Sequence, residues 1–124
     1  MPITSHIEKE LDLTVFKVTG VLSFDTVLPV VKDFYEKDPT KHVLWDLIDT
    51  AEVKLSSEEV EKIVNFRPRF EGKRDFGKTA FVAQKDIIFG LSRMFEIQSN
   101  VQQAPYPVMV FRRIEDAYEW IGAS

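Results

Sequence analysis

The sequence predicts an α/β domain: a mostly parallel sheet with an antiparallel N-terminal edge strand and helices packed upon it. Three observations predict it. The first is Lys41 to Thr50, KHVLWDLIDT, where Val43, Leu44, Trp45, Leu47 and Ile48 make an almost unbroken apolar run. A run too short for a helix and rich in aromatic and branched residues reads as a strand buried on both faces, and such strands sit inside sheets covered by helices. The second is that strand-like and helix-like stretches alternate along most of the chain, which implies parallel pairing through right-handed crossovers. The third is a pair of strand patterns at the N-terminus, close enough to form an antiparallel hairpin.

Taken in order, Ile3 to Ile7 is a weak edge strand and Glu8-Lys9-Glu10 a polar break. Leu11 to Thr19 is a second strand, with Leu11, Leu13 and Val15 on one face and Phe16 and Val18 on the other. Gly20 ends it. A helix follows with Phe24, Val27, Leu28, Val31, Phe34 and Tyr35 at helical spacing, and Ser23, Asp25 and Thr26 are its candidate N-caps. With Thr26 as cap, Pro29 lies harmlessly in the first turn; with Ser23 as cap, Pro29 should kink the helix. Asp38-Pro39 closes it.

After the central strand, Ser56 as N-cap and Glu59 three residues on make a capping box, with Leu55 and Val60 as its hydrophobic staple. This helix buries Val60, Ile63 and Val64 and falters near Pro68. Gly77 to Gln84 is the next buried strand. Asp86 caps a third helix, predicted to turn Ile87, Leu91, Met94, Phe95 and Gln98 inward. Pro105 and Pro107 bracket a turn into the last strand, Val108 to Phe111. Ile114 to Ile121 is a short final helix, with Gly122 at C′. The predicted order is β-β-α-β-α-β-α-β-α, in one domain over residues 1–124.

The 124 residues suffice for a core without staples. With no cysteine, disulfides, thiolate metal sites and cysteine nucleophiles are excluded, which fits a cytoplasmic protein. MPITSHIEKE lacks the basic start and apolar core of a signal peptide. No apolar run approaches the ~20 residues of a membrane span. A net charge of -4 argues against general nucleic-acid binding.

The element order carries a further signal. Gly20-Val21-Leu22-Ser23 lies between strand and helix, Leu44-Trp45-Asp46-Leu47 on the central strand, and Thr79-Ala80-Phe81-Val82-Ala83 on the next. Phe89-Gly90-Leu91-Ser92-Arg93-Met94, Val110-Phe111, Ala117 and Trp120-Ile121 follow. In that order and spacing the chain resembles the SpoIIAA-like (STAS/SEC14-type) family of small bacterial proteins, over nearly its whole length. The resemblance implies a non-catalytic module without a cofactor. It implies a protein partner, or a small apolar molecule or lipid as in SEC14-type relatives.

Four constellations could carry chemistry. Residues 72–79, GKRDFGKT, match G-x-x-x-x-G-K-[ST], the phosphate-binding loop. That mechanism needs a strand before the loop and a helix N-terminus after it; here a helix precedes and a strand follows, so the match is read as chance. Ser56 and Ser57 are candidate phosphorylation sites, because the resemblance places a switch serine at the start of this helix. Glu58 stands where the family motif has glycine, and Glu58 and Glu59 disfavour a nearby dianion, so capping is the better reading. Asp46 and Asp49 lack neighbouring ligands, and strand-end carboxylates commonly bond loop N–H groups. Finally, the stretch 67–78 sets five cations against two carboxylates, +3, leaving -7 on the rest. Its Arg67, Arg69, Lys73 and Arg74 are candidate anion contacts, against a default reading as solvated loop.

One expectation concerns surplus apolar surface. Three strands look apolar on both faces, and if Ile87 and Leu91 face the sheet, then Ile88 and Phe89 cannot easily do so too. Ile88, Phe89 and Met94 are therefore expected at a homodimer contact or along a groove for an apolar ligand. The alternative is burial under the loop at 66–76 or the turn at 100–107.

The capping box yields a first prediction. Ser56→Ala should destabilise the protein by about 1 kcal/mol in chemical denaturation, as loss of an N-cap does, and leave binding intact. A neutral Ser56→Ala combined with loss of partner binding in Ser56→Asp would restore the switch reading.

Overall fold

The computed structural model describes residues 2–37, 39–65, 74, 77–101 and 107–123. Its strands are β1 (Ile3–Glu8), β2 (Leu13–Val18), β3 (Gly20–Ser23), β4 (His42–Asp46), β5 (Thr50–Lys54), β6 (Thr79–Val82) and β7 (Val108–Phe111). Its helices are α1 (Phe24–Glu36), α2 (Ser57–Asn65), α3 (Asp86–Val101) and α4 (Ile114–Gly122). The main sheet has the order β1-β2-β4-β6-β7. Only β1 and β2 pair antiparallel; every other neighbour in that sheet is parallel. The expected architecture is present, and β4 lies at its centre.

Two short strands were not expected. β3 and β5 pair in parallel as a separate two-stranded sheet, in segments to which the sequence reading assigned no strand. Gly20 allows the departure from β2, because it holds φ at +73°, where a side chain is strained. Thr50 is wholly buried, and its hydroxyl donates to Val18 O at 3.1 Å, tying the second sheet to the end of β2.

The period-two alternation of the strands divides the core. On one face, Phe16, Val18, Val43, Trp45, Phe81 and Val108 meet Val27, Val31 and Tyr35 of α1, Ile63 of α2 and Ile88 of α3. On the other, Leu13, Val15, Leu44, Ala80 and Val82 meet Ala117 and Ile121 of α4, with Leu11, Ile48, Phe111 and Trp120 among the half-buried residues packed around them. Three helices therefore cover one face and a short one covers the other.

The helix ends follow local chemistry. Ser23, not Thr26, caps α1, and its N–H donates to Thr26 Oγ1 at 3.0 Å. Pro29 thus lies inside the helix, where it forgoes one backbone bond. At α2 the predicted box is complete: Glu59 N–H donates to Ser56 Oγ at 3.1 Å, and Ser56 N–H donates to Glu59 Oε1 at 2.9 Å.

The phase of α3 corrects the sequence expectation. Ile88, expected as surplus surface, is 1% exposed in the core, whereas Ile87, expected inward, is 71% exposed. The buried face runs through Ile88, Ser92, Glu96 and Ser99. Two polar groups on that face find partners. Ser92 Oγ donates to Ile88 O at 2.9 Å, and Glu96 Oε1 accepts from Val110 N–H at 3.2 Å.

Gly77 is required by close approach. A Cβ there would lie 1.9 Å from the carbonyl oxygen of Lys41, which is backbone and cannot swing aside. Gly77→Ala should therefore cost about 1–3 kcal/mol or more, the range for overpacking, while Gly90→Ala, whose Cβ would meet nothing within 4 Å, should be neutral or stabilising. Urea denaturation of the two variants checks this contrast.

Candidate functional site

Between the three-helix face of the sheet and α1, α2 and α3 lies a partly open cavity of about 90 Å³. Phe16, Trp45 and Phe81 supply its sheet wall, and Val31, Leu91 and Phe95 are among the helix residues that close it. Ring packing shapes that wall: Phe16 stacks on Trp45 at 4.5 Å, and Phe81 tilts against Phe95 at 5.0 Å. The cavity is apolar except where Tyr35, Arg74, Thr79 and Ser92 reach it.

Arg74 defines the polar end. It is 6% exposed. Its Nε donates to Lys41 O at 3.0 Å, and one terminal nitrogen donates to Tyr35 Oη at 3.1 Å. The other donates to Lys78 O at 3.1 Å and Thr79 Oγ1 at 2.8 Å. The solvated-loop reading is therefore corrected for Arg74: its charge is held inside by carbonyl and hydroxyl oxygens. Arg67, Arg69 and Lys73, the other candidate anion contacts, lie outside the described residues.

The phosphate-loop match dissolves in the same region. Thr79 opens β6 rather than a helix. Lys78 Nζ donates to Trp120 O and Ala123 O, each at 2.6 Å, and so serves the C-terminal end of α4. A cation there complements the helix dipole, and the ammonium also lies 5.3 Å from the Trp120 ring centroid. Gly72, Lys73, Asp75 and Phe76 of the motif fall outside the described residues.

The remaining candidates take structural positions. Asp46 Oδ1 accepts from Ile48 N–H at 3.1 Å, and Asp49 pairs with Lys17 at 3.3 Å. Among the described residues no cluster of His, Asp and Glu could hold a metal ion. Ser56 and Ser57 are both exposed at the start of α2, and Ser56 is engaged in the capping box. Phe89 is half-buried beneath Arg112, whose guanidinium carbon lies 4.0 Å from its ring centroid. Met94 is half-buried and reaches the cavity. Ile88 reaches neither cavity nor surface. On the outward side of α3 the exposed apolar residues are Ile87, Ile97 and Val101.

Two groups titrate unusually. His42 is held below its ordinary 6.5, chiefly by burial and then by the charges of Lys41, Arg74 and Lys78, with Asp12 opposing. Its Nδ1 accepts from Lys78 N–H at 2.9 Å, which suits the neutral ring. The Tyr118 hydroxyl is held above its usual range by burial first, and then by its hydrogen bond to Glu8.

Sequence reasoning found the strands and helices that frame the cavity but not the cavity itself. Its walls come from segments scattered between residues 16 and 95. The burial of Arg74 had one signal, the adjoining Gly77, which marks a tight approach of backbone to backbone.

No family model matches the chain, and no curated protein matches it. Solved structures do. One is an uncharacterised DUF3478-family protein with a SpoIIAA-like fold from Shewanella loihica, 19% identical, covering 96% of this chain and 93% of that one, with a TM-score of 0.58. Another is the anti-sigma factor antagonist SpoIIAA in its unphosphorylated form, 12% identical, covering 98% and 99%, with a TM-score of 0.55. The fold is SpoIIAA-like. This bears out the expected architecture, the antiparallel β1–β2 edge included. No described helix is long and apolar enough to cross a membrane.

His42 sets a pH dependence. Below pH 6.5 the unfolded chain takes up a proton that the folded ring refuses, so stability is full above 6.5 and falls as pH drops toward the folded value. His42→Asn keeps an acceptor for Lys78 N–H and removes the titration. Melting temperature between neutral and mildly acidic pH should fall less steeply in the variant than in the wild type.

Proposed function

We propose that this SpoIIAA-like chain is a non-catalytic interaction module that binds a protein partner. The observation that carries the reading is the outward face of α3, where Ile87, Ile97 and Val101 are 71%, 53% and 69% exposed on one helix. Ile97 and Val101 stand one turn apart, and Ile87 lies on the same side of the helix two heptads before Val101. Apolar residues grouped in this way on a surface mark contact sites, whereas single exposed ones do not. The likeness to an anti-sigma factor antagonist supports a protein partner. The described residues present no nucleophile–base–orienter set for a reaction.

A second reading, a carrier or sensor of a small apolar ligand, is favoured by the cavity. Native interiors hold few voids larger than a water molecule. A pocket of about 90 Å³ with mostly apolar walls leaves room for a small apolar molecule. The aromatic walls suit a small neutral ring compound.

One experiment separates the two readings. Pull-down from lysate of the source organism, with wild type and Ile97→Glu, should recover a partner that the variant loses at unchanged melting temperature. In parallel, toluene or indole should raise the melting temperature of the wild type but not of Leu91→Phe, if the cavity is the functional site. Equal recovery by Ile97→Glu would remove α3 as the partner surface, and absence of any thermal shift would remove the ligand reading.

A further inference from the structure

The two edges of the main sheet are treated differently. At β7, Val110 N–H is bonded by Glu96 Oε1 at 3.2 Å, so a side chain of α3 guards that edge. The edge at β1 is bare. Thr19 N–H donates to Pro2 O at 2.8 Å, and the register pairs Ile3 with Val18, Ser5 with Phe16 and Ile7 with Thr14. In an antiparallel ladder, bonded and non-bonded pairs alternate. Thr4, His6 and Glu8 therefore turn their backbone groups toward β2, while Ile3, Ser5 and Ile7 turn theirs outward. Among the described residues nothing bonds to those outward groups.

Edges of this kind are normally blunted by lysine, internal proline or a bulge. β1, ITSHIE, has no lysine or proline, and its register with β2 runs without a shift. Beside it a groove of about 370 Å³ opens between β1 and α1, with Ile3, Ile7, Phe16, Val30 and Phe34 among its walls. Ile7 is 58% exposed there.

We propose that β1 pairs antiparallel with β1 of a second copy, across a two-fold axis at Ser5. The strand is its own complement. Pairing Ser5 with Ser5 sets Ile3 opposite Ile7 on the groove side, twice, and Thr4 opposite His6 on the other. All three outward residues of each strand then find partners. No like charges oppose, because Glu8 falls opposite Pro2. A shift of two residues in one direction sets Ile7 opposite Ser5 and Ile3 opposite Lys9, losing both apolar pairs. The contact also closes on itself: the exposed edge is used up and the other is guarded, so pairing stops at two. A second copy is thus the occupant that the strand's own pattern fits. The dimer expected from the sequence is placed on β1, away from Phe89 and Met94, and the inference does not depend on the α3 reading.

Sedimentation velocity over a concentration series tests it, with hydrogen exchange as a second readout. The wild type should dimerise, and its Ile3, Ser5 and Ile7 amides should gain protection as concentration rises. Ile7→Lys places a charge on the edge, and Ser5→Pro removes an N–H that bonds nothing within the chain. Both should be monomeric with an unchanged circular dichroism spectrum. A wild type that stays monomeric with those amides unprotected overturns the proposal, and needs no variant to fold. A dimer that persists in Ile7→Lys but is lost in Ile97→Glu overturns it too, by moving the contact to α3. So does a monomer that captures a strand of a different protein at this edge.

Discussion

The Arg74 guanidinium is the interaction on which the arrangement around β4 and β6 depends. A buried cation is costly unless hydrogen bonds replace its hydration. Here they come from three elements: the α1 hydroxyl of Tyr35, the Lys41 carbonyl just before β4, and Lys78 and Thr79 at the start of β6. The same group thus holds a helix to the sheet and aligns two parallel strands at their origins. Gly77 is the steric counterpart, since the chain can pass Lys41 closely enough only without a side chain. Lys78 extends the linkage across the sheet to the end of α4.

The asymmetry of the two faces explains where the cavity lies. Toward α4, Ala80 and Ala117 are wholly buried, so that helix can approach closely and fill the space with Leu13, Leu44 and Ile121. Toward α1, α2 and α3 the sheet presents Phe16, Trp45 and Phe81, which hold the helices off by the thickness of a ring. Large rings also pack with geometric preferences, as in the edge-on contact of Phe16 and Phe34 at 5.8 Å. Three helices resting on such a wall leave a gap.

Much of this was legible in the residues. The capping box of Ser56 and Glu59 needs only local spacing, and it formed as read. The strand-end carboxylate Asp46 bonds a loop N–H for the same local reason. The phosphate-loop pattern could be set aside because β6, recognisable by its own composition, follows Lys78. Errors arose where a distant partner decides. Ser92 and Glu96 face inward with Ile88 O and Val110 N–H as partners for their polar atoms, and no hydrophobic periodicity announces that. Arg74 looks like surface charge until its acceptors, on average thirty or more residues away along the chain for Tyr35 and Lys41, are brought beside it.

The sequence by itself determined the alternation of the main strands and helices, the split of those strands into two faces and the capping box that starts α2. These follow from interactions within a few residues, where side-chain period and cap chemistry act. The tertiary structure alone decided the second sheet of β3 and β5, the rotation of α3 about its axis, the interior position of Arg74 and the cavity it borders. Each of these depends on which polar groups and which volumes meet across the fold. Hydrogen bonds between distant segments outweigh the small preference of an isoleucine for one side of a helix over the other.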